Sequence, residues 1–436
     1  SRKGELNLIY PLDKKTPKLY SNYDIAKESD KWFRSLEIGD AKIVFVYGLG
    51  LGYSFENFRL WLEEDEEREL IFLEDDIDLF KACLERESTS ELLSHHQVHM
   101  CLLSSSQKKY KEQCQLFAEY YVNMPFFFAA LPFYLMYKKS LCLYLHSTLL
   151  NSFNFVGFTS GEFFYFGRSY FENAYRNTLS IGDSYAGEGL TSVFEGVPAI
   201  ICGAGPSLVK NIGVLEGLKN KAMIFAGGSA IAALSQQGIQ AHFAGAYDPH
   251  PAQYQRMTQH SSYDLPTFYK NRLHHRAFST LHGPKIYLGG CASYPIMNWI
   301  EEKLGLGSSE AEEGHNILHL LIDRACQMGC NPIIFVGIDL TYTGDQLYAE
   351  GVSSRAEESD EEIIGGKEGD LNCIERKDIY GNSIKTLSKW IGESAYTAEF
   401  PSLYPDKKFI NATEGGIGFA GIENSYLEDV SKAYLR

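Results

Sequence analysis

The segment Val197–Leu208, with the sequence VPAIICGAGPSL, constrains the fold more than any other part of the 436-residue chain. It joins a short apolar run, Val197 to Cys202, to a glycine-rich turn, and apolar residues at helical spacing follow at Leu208, Ile212 and Leu215. Glycines let the backbone approach a phosphate, and the N–H groups at a helix start favour negative charge. The segment therefore predicts an α/β fold with an anion site at the turn. A strand-to-helix turn without any ligand fits the same pattern.

Composition narrows the classes of protein to which the chain can belong. A length of 436 residues with 22% charged residues predicts two or three soluble domains with ample core. The formal net charge of -16 argues against generic binding to nucleic acid or to anionic membranes. The nine scattered cysteines are typical of reduced thiols, so we expect a cytoplasmic protein without a transmembrane segment.

A second glycine turn lies near the start of the chain. The apolar run Lys42–Tyr47 leads into Gly48-Leu49-Gly50-Leu51-Gly52, and a second apolar run, Leu70–Leu73, ends in three carboxylates at Glu74–Asp76. This order, a strand, a glycine turn, a helix, a second strand and then a carboxylate, predicts a Rossmann-like unit. The order also resembles the methyltransferase pattern, so S-adenosylmethionine is an alternative ligand for this turn.

The middle of the chain changes character. From Gln107 to Ile181 the sequence is rich in Tyr and Phe at helical spacing, and it shows no strand alternation. The most apolar run, Met124–Tyr137, is too short to cross a bilayer and predicts a buried helical layer. We therefore expect a helical, aromatic-rich connector.

A second α/β unit follows the connector. Its predicted strands are Ala222–Ala226, His242–Ala246, Lys285–Leu288 and Pro332–Ile338, together with Val197–Cys202 and a last strand into the turn at Phe409–Gly416. Ligands of open parallel sheets bind at the carboxyl edge of the strands, where small and polar residues gather here. The predicted fold is α/β, with two Rossmann-like parallel-sheet units joined by the connector. The predicted domains are 1–106, 107–186 and 187–436, and the acidic segment 353–372 is predicted to be a mobile loop or lid.

Four motifs in a fixed order resemble one family. They are GAGPSL at 203–208, the pair Asp248-Pro249, VGIDLTYTGDQLYAEG at 336–351 and INATEGG at 410–416. This set resembles the motility-associated factor (Maf) glycosyltransferases, which share a domain with an archaeal 6-hydroxymethylpterin pyrophosphokinase. The resemblance implies a catalytic core in 187–436 similar to bacterial sialyltransferases. It also implies an inverting transfer, without a metal cofactor, of a nonulosonic acid such as pseudaminic or legionaminic acid. The donor would be CMP-linked, and the acceptor a Ser or Thr hydroxyl of a protein such as flagellin.

The resemblance also implies roles for individual residues. The donor phosphate would be held by Gly203, Ala204, Gly205, Pro206 and Ser207. The nucleotide cleft would be lined by Gly228, Ser229, Asp248, Pro249 and Asp345. Tyr342 and Tyr348 would donate hydrogen bonds to the departing phosphate, although many relatives have His at the second position. Gly228 also departs from the more usual polar residue.

The base that would deprotonate the acceptor is left open among Asp339, Asp345, Glu350, Glu414 and His315. Asp339 and Glu414 are predicted catalytic residues, with two structural alternatives: Asp339 could anchor its loop, and Glu414 could serve a turn or cap.

Two other functions remain open at this point. The first is an ATP- and Mg²⁺-dependent, pterin pyrophosphokinase-like enzyme, in which Asp248, Asp339 and Asp345 would hold the magnesium. The second is a catalytically silent module that binds a nucleotide or a protein. His315 and His319 lie four residues apart but lack a third ligand, so no metal site is predicted. We expect His274, His275 and His282 to be exposed in a polar linker.

Overall fold

A computed structural model describes residues 1–10, 16–86, 89–104, 106–258, 264–290, 295–306, 314–342, 349 and 373–435. The predicted site residues Asp345 and Tyr348, the candidate base Glu350 and the predicted loop 353–372 lie outside these ranges. Two compact units divide the chain, Ser1–Tyr165 and Phe166–Arg436. The division falls within the predicted connector 107–186, inside one long helix.

The first unit is built on a parallel sheet with the strand order β3-β2-β1-β4. Its strands are β1 Ile43–Tyr47, β2 Glu69–Glu74, β3 Val98–Leu102 and β4 Phe126–Ala130. Its helices are α1 Ile25–Phe33, α2 Phe55–Glu63, α3 Ile77–Leu84, α4 Thr89–Ser94, α5 Gln107–Tyr120 and α6 Pro132–Tyr137; α7, Lys139–Thr178, contains the boundary between the units. Every residue of β1 is buried, as expected for the central strand of a parallel sheet covered on both faces.

Strand β4 overturns the expectation of a purely helical connector. It pairs in parallel with β1, with Phe126 beside Ile43 and Ala130 beside Tyr47. The run Met124–Tyr137 is therefore a strand followed by α6, which begins at Pro132, and not one helical layer. A continuous apolar run gives no periodicity that separates a buried strand from a buried helix, which explains the error.

The second unit is built on a parallel sheet with the order β15-β14-β11-β6-β7-β8-β9-β10-β5. Its strands are β5 Tyr185–Ala186, β6 Ala199–Cys202, β7 Met223–Gly227, β8 Phe243–Ala246, β9 Thr267–Tyr269, β10 Lys285–Tyr287, β11 Ile333–Val336, β14 Phe409–Asn411 and β15 Glu423–Asn424. An antiparallel hairpin is formed by β12 Cys373–Lys377 and β13 Ser383–Leu387. The helices after α7 are α8 Leu208–Glu216, α9 Ser229–Gln236, α10 Ala252–Thr258, α11 His275–Phe278, α12 Pro295–Lys303, α13 Ile317–Gln327, α14 Ser388–Thr397, α15 Phe400–Leu403 and α16 Leu427–Tyr434.

The predicted α/β class with two parallel sheets is confirmed. In the large sheet, helix α13 packs so closely that a Cβ at Gly227 or Gly245 would press on Ile317, at 2.7 and 2.9 Å. Strands β14, β11, β6, β7 and β8 are consecutive neighbours, so the turns after them share one carboxyl edge. Among the residues covered by the structure, none forms a helix long and apolar enough to cross a membrane.

Candidate functional site

The glycine turn after β6 is fixed to the turn after β11 by its own backbone. Gly203 N donates to Val336 O and Gly205 N donates to Gly337 O, both at 2.8 Å. Ser207 Oγ donates to Asp339 Oδ2 at 2.7 Å, and Ser207 N lies 3.3 Å from Asp339 Oδ1. The two motifs, 132 residues apart, thus form one hydrogen-bonded unit.

Asp339 lies buried inside this unit, with 3% of its surface exposed. A Cβ at Gly205 would overlap Asp339 Oδ2, and one at Gly416 would overlap Asp339 O, so both glycines are required sterically. Burial raises the pKa of Asp339, while the hydrogen bonds from Ser207 act in the opposite direction. These contacts are those of an anchor, the alternative that the sequence left open. Its role as a base stays a prediction.

Glu414 joins the turn after β14 to two helices. Its Oε1 accepts hydrogen bonds from Asn211 Nδ2 of α8 at 2.8 Å and from Leu427 N of α16 at 3.0 Å, and its carbonyl accepts from Lys210 Nζ at 2.7 Å. Its φ is 58°, and Leu340 next to Asp339 has a φ of 54°. Such values are costly for residues other than glycine and concentrate at functional sites.

Tyr342 lies beside the hairpin. Its N–H donates to Lys385 O of β13 at 2.9 Å, and its ring centroid lies 5.0 Å from that of Trp390 at the start of α14. Thr386 Oγ1 donates to Leu340 O at 2.7 Å. The segment after Asp339 is therefore tied to the hairpin by backbone and side-chain contacts.

Two helices begin at this edge without a side-chain cap. The Ser207 hydroxyl, before α8, donates to Asp339 and does not cap the helix. Gly228, before α9, has no side chain that could cap it. Gly228 has a φ of 50°, and a Cβ there would meet nothing within 4 Å. Ala349 N donates to Ala204 O at 2.8 Å, so the chain returns to the glycine turn at that point. At the start of α8, Leu208 N donates to Gly205 O at 3.0 Å and Lys210 N donates to Ser207 O at 2.9 Å. The dipole of a helix start nevertheless favours an anion.

Asp248 follows β8 at the same edge. Its Oδ1 accepts from His250 N at 2.9 Å, and its Oδ2 lies 3.3 Å from Arg256 Nη1. Pro249 is buried, and its carbonyl accepts from Asn173 Nδ2 of α7 at 3.0 Å. Both residues are thus part of a hydrogen-bonded corner, with Asp248 only partly covered.

Five basic residues surround this corner, which we call the basic cluster. It consists of His250, Arg256, Arg272, His274 and Arg276. The guanidinium groups of Arg272 and Arg276 lie 4.7 Å and 4.5 Å from the ring centroids of Tyr247 and Tyr254. The cluster is notable in a chain of net charge -16. Sequence reasoning missed it, although eight Lys, Arg and His residues within positions 250–276 were a visible signal.

His274 corrects an expectation, because it is buried, with 8% of its surface exposed, and not in an open linker. Its backbone N–H donates to Asp248 O at 3.0 Å, and its buried Nδ1 has no hydrogen-bond partner among the described residues. Burial lowers the pKa of His274, and the charges of His275 and Arg276 lower it further. His275 is half-buried, and His282 is exposed as expected.

His319 serves the packing of two helices. Its Nε2 lies 3.0 Å from Thr397 Oγ1 and 3.2 Å from Glu393 O, both on α14, and its Nδ1 accepts from His315 N at 2.9 Å. Burial lowers the pKa of His319 to about 3, so the ring is neutral. Within the described ranges, no group of three His, Cys, Asp or Glu residues is arranged to hold a metal.

The glycine turn of the first unit is occupied by the chain's own side chains. A Cβ at Gly48 would overlap the Tyr134 ring, and one at Gly50 would overlap the Tyr20 hydroxyl. Leu51 N donates to that hydroxyl at 2.9 Å, and Leu49 N donates to the buried Glu74 at 3.1 Å. Two backbone donors of this turn are thus engaged within the protein, as Gly203 N and Gly205 N are in the second unit, and the Tyr134 ring and the Tyr20 hydroxyl fill the space beside it.

The other carboxylates after β2 are engaged as well. Asp75 accepts from Tyr47 Oη at 3.0 Å and pairs with Lys138 Nζ at 2.9 Å, and Asp76 caps α3. Burial raises the pKa of Glu74, whose carboxylate also accepts from Tyr134. The two glycine turns of the chain therefore differ in what surrounds them.

Comparisons with known proteins agree with the order of motifs. Residues 172–345 match the family model described as 6-hydroxymethylpterin diphosphokinase MptE-like. No curated protein matches the chain. A solved structure of a MAf glycosyltransferase from Magnetospirillum magneticum AMB-1 matches with a TM-score of 0.53 at 13% identity. The match covers 92% of this chain and 62% of that one, so the chain spans about three fifths of its length. The resemblance drawn from the motifs is confirmed: the chain contains an MptE-like region at 172–345 and has the fold of a Maf glycosyltransferase.

Proposed function

We propose that the chain is a glycosyltransferase that transfers a sugar from a nucleotide donor to a hydroxyl group of a protein. The observation that carries the proposal is the glycine turn at the carboxyl edge, locked to Asp339 and followed by helix starts without side-chain caps. The dipoles of these two helix starts favour the negative charge of a nucleotide-sugar phosphate, and the glycines let it approach the backbone. The fold shared with a Maf glycosyltransferase supports the same class of reaction.

The turn from Gly203 to Ser207 binds the donor phosphate in this proposal, and Gly228 and Ser229 line the nucleotide cleft. The acceptor hydroxyl gives its proton to a base, for which Asp339, Glu414 and His315 are the candidates among the described residues, and its oxygen attacks the anomeric carbon. The bond from that carbon to the phosphate oxygen breaks, and the nucleotide leaves with the electron pair. Tyr342 donates a hydrogen bond to the leaving phosphate, which stabilises the charge that develops there. Asp339 acts through Ser207 as a positioning residue.

The basic cluster supports an acidic sugar as the transferred group. Strands β6 and β8 are separated only by β7, and neighbouring strands lie about 4.8 Å apart, so roughly 10 Å separates the glycine turn from the corner after β8. A CMP-linked nonulosonic acid carries two anionic groups, the phosphate and the sugar carboxylate. We propose such a donor, with Ser or Thr of a protein such as flagellin as the acceptor and no metal cofactor.

The family model favours a second candidate, transfer of pyrophosphate from ATP to a pterin with Mg²⁺. That reaction needs carboxylates around the metal. In the described residues, the Asp248 carboxylate pairs with Arg256 and the Asp339 carboxylate with Ser207. A silent binding module remains the third candidate, and the experiment below separates all three.

The test is the thermal midpoint of the full chain with CMP, CDP, UDP, GDP and ATP, each with and without Mg²⁺. A ligand that binds only the folded state stabilises it by about 2.7 kcal/mol at a hundredfold excess over its dissociation constant. We expect CMP or CDP to raise the midpoint without Mg²⁺, and Ser207→Ala to reduce that shift. A shift with ATP only in the presence of Mg²⁺ would establish the second candidate. Binding of CMP without turnover of any CMP-sugar on a protein acceptor would favour the silent module.

A further inference from the structure

An apolar stripe is exposed at the C-terminal end of α7. Phe171 and Tyr175 lie on the helix, and Leu179 directly follows its last residue, Thr178; the three are 50%, 71% and 89% exposed. Residues four apart lie on one side of a helix, so these three side chains form a continuous row. Monomeric proteins seldom leave such a row of large apolar side chains in water.

The opposite side of the helix is fixed to the second unit, which holds the stripe outward. Asn173 donates to Pro249 O at 3.0 Å, and Asn177 donates to Asn271 O at 2.9 Å. Ala174 is fully buried and packs against Met297 of α12. The exposure of the stripe therefore follows from how the helix is anchored.

Helix α12 adds apolar surface next to this part of α7. Met297 contacts Ala174, and Ile296 and Trp299, close to Met297 in the sequence, are 44% and 54% exposed. A specific interface buries about 800 Å² on each partner, more than three side chains supply. With the exposed side chains of Ile296 and Trp299, the apolar area available to a partner is larger than that of the stripe alone.

The pattern of the stripe is symmetric about Tyr175. If two copies of α7 pack antiparallel about a two-fold axis at Tyr175, the two Tyr175 rings meet and Phe171 lies opposite Leu179 of the second copy. Closed two-fold dimers need a self-complementary surface of this kind. Aromatic pairs add about 0.5–1.5 kcal/mol beyond the burial of their area.

The charges beside the stripe are also self-complementary. Glu172 and Arg176 form an ion pair at 2.6 Å within the helix, and both are about half exposed. In the antiparallel arrangement, Glu172 of one copy comes within two helix positions, about 3 Å along the axis, of Arg176 of the other copy. This local balance of charge matters, because a net charge of -16 on each chain otherwise opposes association.

We propose that this face of α7 is the interface of a homodimer, with a second copy of the chain as its occupant. The proposal does not depend on the catalytic function. It predicts a concentration-dependent equilibrium between one and two chain masses.

The test is the mass of the full chain in solution, measured by sedimentation equilibrium and by light scattering after gel filtration. We expect the wild-type chain to form a dimer at micromolar concentrations. Tyr175→Glu should weaken the dimer at least about tenfold, because it places two like charges at the symmetry axis. Tyr120→Glu is the matched control, since Tyr120 on α5 is 78% exposed and lies outside the stripe.

Charge exchange gives a sharper test of the arrangement. Glu172→Arg alone should weaken the dimer, whereas Glu172→Arg combined with Arg176→Glu should restore it, because the exchanged pairs attract again. Circular dichroism would confirm that each variant is folded. A wild-type chain that is monomeric at all concentrations tested, or a dimer that tolerates Tyr175→Glu as well as Tyr120→Glu, would overturn the proposal.

Discussion

Asp339 is enclosed by residues from two other turns, the glycine turn after β6 and the turn after β14. Ser207 donates to it, Gly205 leaves the room for it, and Gly416 approaches its backbone, where a Cβ would overlap the carbonyl oxygen. A buried carboxylate is tolerated only when hydrogen bonds compensate for the lost water. The geometry of the phosphate turn in our proposal therefore depends on a residue that need not touch the ligand.

We expect Gly205→Ala to lower the free energy of unfolding by about 1–3 kcal/mol, because the added methyl group overlaps Asp339 Oδ2. The variant should also lose most of the midpoint shift given by the bound nucleotide. Chemical denaturation and the thermal assay measure the two effects.

Gly213→Ala is the control for this substitution. Gly213 lies inside α8, with nothing within 4 Å of a Cβ, so alanine should stabilise the helix by about 0.5–1 kcal/mol. Equal stability of Gly205→Ala and the wild type would mean that the turn is not locked to Asp339.

The residues that enclose Asp339 could be named from the sequence, but the contacts between them could not. The small and polar residues after each strand were expected at one edge, which needs only the rule for parallel sheets. The bond from Ser207 to Asp339 joins residues 132 positions apart, and the burial of His274 depends on how α11 packs. Neither follows from local spacing.

At the level of elements, α13 and α14 are joined through the neutral ring of His319. Its pKa is about 3 in the folded chain and near 6.5 in an unfolded one. Below pH 6.5 the unfolded chain therefore binds a proton that the folded chain does not, and the stability falls as the pH decreases.

We compare the free energy of unfolding of the wild type with that of His319→Gln, whose side chain cannot take up this proton. Between pH 6 and 4, the wild-type value should fall by about 1 kcal/mol per pH unit more than the value of the variant. Above pH 7.5 the difference between the two proteins should not vary with pH. Urea denaturation at several pH values measures it, with His282→Gln, at an exposed position, as the control. A pH-independent difference would contradict the neutral, buried state of His319.

The strands that the sequence predicted are those with a clear end signal. Strands β1, β6 and β7 each lead directly into glycines, and β8 and β11 are followed two and three residues later by Asp248 and Asp339, so their limits were expected within a few residues. Strand β4 lacks such a signal and lies between two prolines in an apolar run. Strand β3 was missed because most of its residues are only partly buried and its pattern is weak. A continuous apolar run such as that around β4 has no period that separates a strand from a helix.

At the scale of the whole molecule, the chain contains two parallel sheets with a glycine turn each, but their surroundings differ. The turn after β1 is filled by Tyr134 and Tyr20, and its carboxylates are engaged by the protein. The turn after β6 is fixed by the backbone of Gly337 and by the carboxylate of Asp339. The helices that follow the two turns, α2 and α8, both begin without a side-chain cap. The sequence predicted a phosphate at the second turn and gave S-adenosylmethionine as an alternative at the first, and it could not show that two tyrosines, about 30 and 85 positions away, fill the first turn.

This difference predicts that a substitution at the first turn lowers the stability without affecting nucleotide binding, whereas a substitution at the second turn weakens nucleotide binding. Tyr20→Phe removes the acceptor of Leu51 N and leaves that buried donor unpaired, which should lower the stability by about 1–3 kcal/mol. The midpoint shift given by the nucleotide should stay at the wild-type value, whereas Ser207→Ala should reduce it. S-adenosylmethionine should not shift the midpoint of the wild type, because the Tyr134 ring and the Tyr20 hydroxyl fill the space beside the first turn. A raised midpoint of the wild-type chain with S-adenosylmethionine would show that the tyrosines can leave the turn, and the first sheet would then be a second ligand site.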